Sequence, residues 1–263
     1  MKIKIITAIL FGLISLNAFA QSEIENPKSE IGNLQFGIKA GWNYSNLYGK
    51  EIDYVFADGK TEYQSGFHAG IFVDTRMSKH FGLKHELLFS QKRIGVSLTD
   101  ANDEMYQSKL TTSYLDLMPA SLTFQAGSFQ LYAGPYISAL LNANVKRNDA
   151  NGKMYKDKSI FGTTDNDETE TRYLQKFDFG ANLGLEYRFD FGLSVGAKYI
   201  HGFTDIFQYA NSYTNGDTKT DNIKIYNRGW MISIGYTFSE VKKIIPNSGN
   251  SLKMINKLNS VKF

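Results

Sequence analysis

The sequence predicts an all-β protein: an eight-stranded antiparallel transmembrane up-and-down β-barrel with long extracellular loops and short periplasmic turns. Three observations carry that expectation. Eight stretches alternate apolar and polar residues, their connections are long and short in strict turn, and charged residues keep to one face of the alternation. The stretches are 34–44, 67–75, 81–91, 114–124, 129–141, 177–189, 191–203 and 228–238. The odd connections take about 22, 22, 35 and 24 residues and the even ones about 5, 4 and 2, the asymmetry of outer loops against inner turns. Both chain ends then lie at the turn rim.

Residues 1–20 read as a signal peptide. Lys2 and Lys4 form a positive head, Ile5 to Leu16 an apolar stretch, and Ala18, Phe19 and Ala20 a small-x-small cleavage site. The stretch is too short to span a bilayer comfortably, so cleavage and export are expected, with 21–33 as a periplasmic N-terminal segment. The formal charge of +3 falls to +1 when Lys2 and Lys4 leave, and no polybasic case for nucleic acid survives. With zero cysteines, thiol catalysis, cysteine metal sites and lipoprotein anchoring are excluded, and stability must come from burial and strand pairing. No composition break divides the remaining residues, so 34–238 is read as one barrel and 239–263 as a periplasmic tail.

Segment one sets Leu34, Phe36, Ile38, Ala40, Trp42 and Tyr44 against Gln35, Gly37, Lys39, Gly41 and Asn43. Segment two turns His68 and Asp74 to the polar side, together with Phe72. Segment three has Leu83, Leu87 and Phe89 opposite Lys84 and Glu86, with His85 in the apolar phase. In segment four, Leu115 and Leu117 face out around Asp116, but Ala120, Leu122 and Phe124 have slipped by one residue. A bulge at Leu117 or Met118, just before Pro119, restores the phase. Segment six is free of errors: Phe177, Phe179, Ala181, Leu183, Leu185, Tyr187 and Phe189 oppose Asp178, Gly180, Asn182, Gly184, Glu186 and Arg188. Segment seven places Lys198 and Ile200 on the polar side, and segment eight sets Trp230, Ile232, Ile234, Tyr236 and Phe238 on the apolar one.

A soluble lipocalin-like barrel has the same period with its apolar face inward. Girdles and energy favour the membrane. Trp42, Trp230 and Phe177 gather toward the loop rim, and Phe36, Tyr187, Phe189, Phe191, Tyr236 and Phe238 toward the turn rim, as amphipathic rings do at headgroup level. A Lys or Arg against lipid near the midplane costs roughly 2 to 4 kcal/mol, so the charged residues must turn inward. The expected interior network is Lys39, His68, Asp74, Lys84, Glu86, Asp116, Asp178, Glu186, Arg188 and Lys198. Eight strands leave room only for side chains, so ion pairs and no open pore are expected.

These residues resemble the outer-membrane β-barrel proteins labelled PorT-like. The matching runs are Phe36-Gly37-Ile38-Lys39-Ala40-Gly41, Glu86-Leu87-Leu88-Phe89-Ser90-Gln91-Lys92, Tyr114-Leu115-Asp116 before Pro119, Ala133-Gly134-Pro135-Tyr136, Phe177-Asp178-Phe179-Gly180, and Asn227-Arg228 leading to Gly235-Tyr236. Met118 looks like an insertion relative to the family, and about 25 residues follow Phe238 where family chains commonly stop. The resemblance implies an outer-membrane barrel of largely undefined role, one branch being linked to protein secretion.

Candidate chemistry is sparse. Asp165, Asn166, Asp167, Glu168 and Glu170 form an acidic cluster without the glycine and ligand spacing of a calcium loop, so no metal is assigned. His201 lies outward near the loop rim with Asp205 close in sequence and Ser138 and Ser212 available, the ingredients of a lipid hydrolase. A rim histidine at headgroup level is the plainer reading, and no catalytic residue is assigned. The loop aromatics Tyr54, Phe56, Tyr63, Tyr155, Phe161, Tyr173, Phe207, Tyr209, Tyr213 and Tyr226 suit either recognition or packing as a cap over the barrel. In the tail, Lys242, Lys243, Lys253, Lys257 and Lys262 interleave with Leu252, Ile255, Leu258 and Val261 at helical spacing, compatible with an amphipathic helix or a frayed end. The expectation is therefore an integral outer-membrane protein, monomeric and without cofactor. Its role is structural, adhesive or secretion-accessory, and its partners are outer-membrane lipid, lipopolysaccharide and an envelope protein. The lipid hydrolase and the soluble ligand-binding barrel stand as alternatives.

Overall fold

The computed structural model describes residues 34–50, 52–99, 102–149, 152–158, 174–207 and 224–238, with Tyr54 and Val55 described in backbone alone. The signal peptide, the acidic cluster, Phe161, Tyr173, Tyr209, Ser212, Tyr213 and the basic tail lie outside the described residues. The strands are β1 (Leu34–Tyr48), β2 (Thr61–Arg76), β3 (Phe81–Thr99), β4 (Met105–Ala126), β5 (Phe129–Asn148), β6 (Met154–Asp157), β7 (Phe177–Arg188), β8 (Leu193–Gly202) and β9 (Tyr226–Thr237), with a short helix α1 (Ile52–Val55) after β1. Every pairing is antiparallel. The order β4-β3-β2-β1-β9-β8-β7-β5 is closed by pairing of β4 with β5, so eight strands form a ring and β6 is an extra hairpin strand on β5. Closure pairs the wall's backbone groups with one another, the condition for crossing hydrocarbon by strands. No described helix is long and apolar enough to cross a membrane.

Alternation puts the apolar residues outside. On β7, Phe177, Phe179, Leu183, Leu185 and Tyr187 are exposed, while Asp178, Gly180, Asn182, Gly184 and Glu186 are buried. Ile232 on β9 is 55% exposed and Lys84 on β3 is 0% exposed, which excludes the inward-apolar arrangement of a soluble barrel. At the turn rim the connections are 77–80, 127–128 and 189–192. Gly127 and Gly192 sit there at φ 59° and 93°, left-handed values that a side chain resists.

The strands continue well past the apolar stretches at the loop rim. β3 runs to Thr99 and β4 starts at Met105, so this connection is far shorter than the 22 or so residues expected. The reason is an exchange of chemistry between the two faces. Along β3 the outward residues pass from Leu87 and Phe89 to Gln91 and Arg93, while the inward ones pass from Lys84, Glu86, Leu88, Ser90 and Lys92, mostly polar, to Ile94 and Val96. Across β4, Leu115 and Leu117 give way outside to Ser113, Thr111 and Lys109, with Leu110 inside. Through this stretch of β3 and β4 the period of two holds, but the polarity inverts once the wall rises out of lipid into water.

Inside that upper section lies an apolar core. Leu47, Ile94, Val96, Leu110, Tyr114, Leu140, Ala143 and Val145 of the wall pack with Phe56, Leu174, Ile206, Phe207 and Ile225 from the connections. Phe56 and Phe207 therefore follow the cap reading of the loop aromatics, whereas Tyr155 is exposed and Tyr63 and Tyr226 belong to strands. Outside this core, the segment that follows α1 is tied down where Ser97 donates to Asp58 at 2.6 Å and receives Gln107 at 2.8 Å. The Ser97 hydroxyl holds the Asp58 carboxyl below its ordinary range.

The bulge of β4 lies at Pro119 and Ala120, slightly beyond the Leu117 or Met118 expected. Lys84 pairs with Ser121 and Glu86 with Met118, so His85 faces two residues of β4 instead of one. Met118 stays in the regular inward phase, and the doubled position frees the Pro119 carbonyl. His85 Nδ1 donates to that carbonyl. The histidine that broke the apolar phase thus finds its partner in the bulge opposite it.

Interior glycines face interior rings in register. Phe72 pairs with Gly37, Tyr132 with Gly184 and Tyr136 with Gly180, each ring lying across the strand where the glycine leaves space. At Gly180 an added Cβ would stand 2.1 Å from the His201 carbonyl oxygen and 2.4 Å from the Tyr136 ring. Gly180→Ala is expected to destabilise the barrel by about 1 to 3 kcal/mol through overpacking. Denaturant unfolding in detergent measures it, with the outward Ala181→Gly as the variant that costs less than about 1 kcal/mol.

Candidate functional site

The feature that organises the wall is its ionic interior. β1 supplies Lys39, β2 His68 and Asp74, β3 Lys84, Glu86 and Lys92, β4 Asp116, β7 Asp178, Glu186 and Arg188, and β8 Lys198. Each stands inward because its strand's apolar neighbours stand outward. Of the ten expected network residues nine are buried, and Arg188 is partly buried beside Asp74 and Glu186. The cations Lys39, Lys84, Lys92, Arg188 and Lys198 equal in number the carboxylates Asp74, Glu86, Asp116, Asp178 and Glu186, so the buried charge cancels.

The charges are bridged across the ring. Lys39 Nζ donates to Glu86 Oε1 at 2.6 Å and to Glu186 Oε2 at 3.1 Å, and Lys84 Nζ reaches the same Glu186 oxygen at 2.8 Å. Lys198 closes on Glu86 Oε2. Nearer the turn rim, Arg188 Nε bonds Glu186 Oε1 at 3.0 Å, and its terminal nitrogens reach Asp74, Gln130 at 2.7 Å and Gln35 at 3.3 Å. Aromatic faces line the lattice: Lys84 Nζ is 4.6 Å from the Tyr132 centroid and 5.1 Å from that of Phe72. Strands β1, β3, β7 and β8 are thereby clamped through the lumen by side chains as well as around the ring by backbone.

A second polar layer lies toward the loop rim. Asp116, Ser138 and Asp178 stand side by side in register across β4, β5 and β7. Ser90 donates to Asp116 Oδ2 at 2.5 Å, while Tyr136 and Asn227 donate to Asp178 Oδ2 at 3.1 and 2.9 Å. Lys92 Nζ lies 3.9 Å from Asp116 Oδ1 and 4.4 Å from the Tyr114 ring centroid. His68 joins Asn43 Oδ1 at 2.7 Å and Ser233 Oγ at 2.8 Å, which makes it a bridge from β2 over β1 to β9.

Sequence reasoning missed Lys92, though it keeps the inward phase of Lys84, Glu86 and Ser90, because segment three was ended at Gln91. It also missed the inward tyrosines Tyr114, Tyr132 and Tyr136. Their signal is the glycine opposite two of them, which appears only once the register is known.

The expected interface aromatics Phe36, Trp42, Phe177, Tyr187, Phe189, Trp230, Tyr236 and Phe238 are all exposed on the outer wall. Several contact neighbours of their own kind: Tyr187 meets Phe129 at 5.0 Å and Phe189 at 4.9 Å, and Trp230 meets Tyr199 at 4.9 Å. His201 is outside too. Its Nε2 is 2.7 Å from the Tyr48 hydroxyl, which donates in turn to the Gly202 carbonyl at 2.8 Å, so Nε2 carries the proton and donates. Ser138 is fully buried on the inner face of β5, and the wall separates it from His201. Asp205 Oδ1 accepts the backbone N–H groups of Phe207 at 3.1 Å and Ile225 at 3.3 Å, which ties the β8–β9 connection together. Among the described residues no group of three or more His, Cys, Asp or Glu is placed to hold a metal ion.

Removing one member of the lattice leaves its partners charged and buried. Glu86→Gln leaves Lys198 without its carboxylate and Lys39 with Glu186 alone, and is expected to cost about 3 to 5 kcal/mol. Glu86→Leu combined with Lys198→Met recovers part of that loss. Unfolding midpoints in detergent, read with the shift between heated and unheated gel samples, check both.

The sequence matches the family described as outer membrane protein beta-barrel domain over residues 19–208. No curated protein matches it. Among solved structures, Ail of Yersinia pestis in complex with sucrose octasulfate is 14% identical, with TM-score 0.42, covering 78% of this chain and 99% of that one. Neisserial surface protein A is 10% identical, with the same TM-score and coverage. OprG of Pseudomonas aeruginosa is 16% identical at TM-score 0.37, covering 79% and 97%. The family's description names an outer-membrane barrel domain and no reaction. A closed ring with an apolar outer wall and a neutralised ionic lumen, together with that match over most of its length, makes this chain a member of the outer membrane protein beta-barrel domain family and an integral protein of the outer membrane.

Proposed function

We propose that the protein is a non-conducting scaffold that presents recognition surfaces outside the cell, in a structural or adhesive role. The observation that carries this reading is the filled lumen. The ionic lattice and a buried cluster of Leu88, Met118, Tyr136, Ile200 and Met231 fill the membrane section, and the apolar core packs the section above it. The same core makes the upper wall a rigid pedestal for the loops, which suits contact with another surface. Export by cleavage after Ala20, with 21–33 and 239–263 in the periplasm and the outer aromatics at the headgroups, belongs to the same reading. So do a monomeric state, contact with lipid and lipopolysaccharide, and an envelope protein partner. No catalysis is assigned, because His201 is engaged by tyrosine and separated from Ser138.

Within the family, the PorT-like type is the finer assignment, supported by the run from Glu86 to Lys92 and by Tyr114, Leu115 and Asp116 before Pro119. The secretion-accessory role comes with that assignment as the second reading.

Two measurements test the proposal. The purified full chain in planar bilayers is expected to give no discrete conductance steps, and persistent channels would overturn the closed lumen. Because the chain has no cysteine, Lys156→Cys and Ser128→Cys report on the two rims without background. An impermeant maleimide is expected to label the first on intact cells and the second only after permeabilisation; the reverse pattern would place the loops in the periplasm.

A further inference from the structure

The outward column of β9 runs Tyr236, Ile234, Ile232, Trp230, Arg228 and Tyr226 toward the loop rim, and its first four side chains are exposed. From Phe238 to Arg228 the wall climbs about 26 Å along the membrane normal, taking about 3.4 Å per residue and a tilt of about 40°. The apolar band of such barrels is about 25 Å tall. Arg228 therefore stands where acyl chains end and headgroups begin.

Rings, not acids, hold its guanidinium. The group lies 5.6 Å from the Tyr48 centroid and 5.7 Å from that of Tyr63. Those rings are themselves fixed, Tyr48 by stacking on His201 at 4.7 Å and on Tyr226 at 5.1 Å, and Tyr63 by stacking on Tyr44 at 5.0 Å. The register neighbours of Arg228 are Asn46 on β1 and His201 on β8, neither of them acidic. Nε is shut behind the rings without a hydrogen-bond partner, and no described residue forms an ion pair with the guanidinium. Inside the lumen every cation has its carboxylate; this one, outside, has none among the described residues.

We infer that Arg228 is a binding site for the phosphate of an outer-leaflet glycolipid headgroup. The lipid that covers Trp230, Ile232 and Ile234 brings its headgroup to the level of Arg228. A phosphate there accepts two N–H bonds from the guanidinium fork at a boundary where water competes weakly. Tyr48 and Tyr63 pre-set the fork, so little freedom is lost on binding. The inference rests on the proposed orientation, with the loop rim facing outward.

The test uses the purified full chain, with lipid A bisphosphate and fully dephosphorylated lipid A as probes, scored by native mass spectrometry after detergent exchange. Wild type is expected to hold the bisphosphate about tenfold more tightly, a step of about 1.4 kcal/mol. Arg228→Met removes the preference, Arg228→Lys keeps part of it, and Arg93→Met, which removes an exterior cation on β3, leaves it intact. The shift between heated and unheated gel samples shows that each variant is folded. Equal retention of both lipids by wild type, or an undiminished preference in Arg228→Met, overturns the site. Displacement of lipid A by millimolar inorganic phosphate would make it a free-anion site and overturns the lipid assignment. A preference for phosphatidylglycerol over lipid A overturns it as well, whereas the cysteine labels at the two rims judge orientation independently.

Discussion

Hydrocarbon offers the backbone no hydrogen-bond partner, and the rest of this structure follows from that constraint. Each strand in the membrane must pair on both sides, so the sheet has to close, and β1 must find β9 while β4 finds β5. Closing only eight strands leaves a lumen no wider than its side chains. Whatever points inward must fill that space and satisfy itself. The outer wall has no such freedom, since it is given to lipid, and so the polar half of the sequence is packed into the interior.

An ionic interior is a poor source of stability in itself, because removing charges from water costs several kcal/mol per ion. Here the relevant alternative is different. A Lys39 or Glu186 turned outward would meet acyl chains, and an inward one left alone would be a buried orphan. Shared oxygens resolve this: Glu186 serves Lys39, Lys84 and Arg188, and Glu86 serves Lys39 and Lys198. The lattice thus specifies which strands face one another across the lumen. In-register glycines give the rings of Phe72, Tyr132 and Tyr136 room to lie among the charges.

Much of this was legible in the sequence because period two is a local signal. β7 shows it without a fault, and the polar half of its pattern names Asp178, Glu186 and Arg188 as interior residues. What stayed hidden depends on knowledge of neighbours. Lys92 escaped because the apolar face was used to end the strand, and that face changes sides just beyond it. His85 looked like an error until the Pro119 carbonyl stood opposite. Phe56 and Phe207 could not be told from recognition residues, since cap and epitope draw on the same aromatics. Arg228 was read only as part of a motif, because the lack of an acid beside it is a fact of three strands and not of one.

The exchange of faces along β3 and β4 also fixes how deep the protein sits. Sinking by two residues would carry Arg93 and Lys109 toward the acyl layer, while rising by as much would lift Phe89 and Leu115 into water. Both displacements are opposed by the same wall, so the molecule has a restoring force against vertical travel. A contact made by the loops can therefore pull on the membrane itself, and the barrel behaves as a cleat fixed at one height.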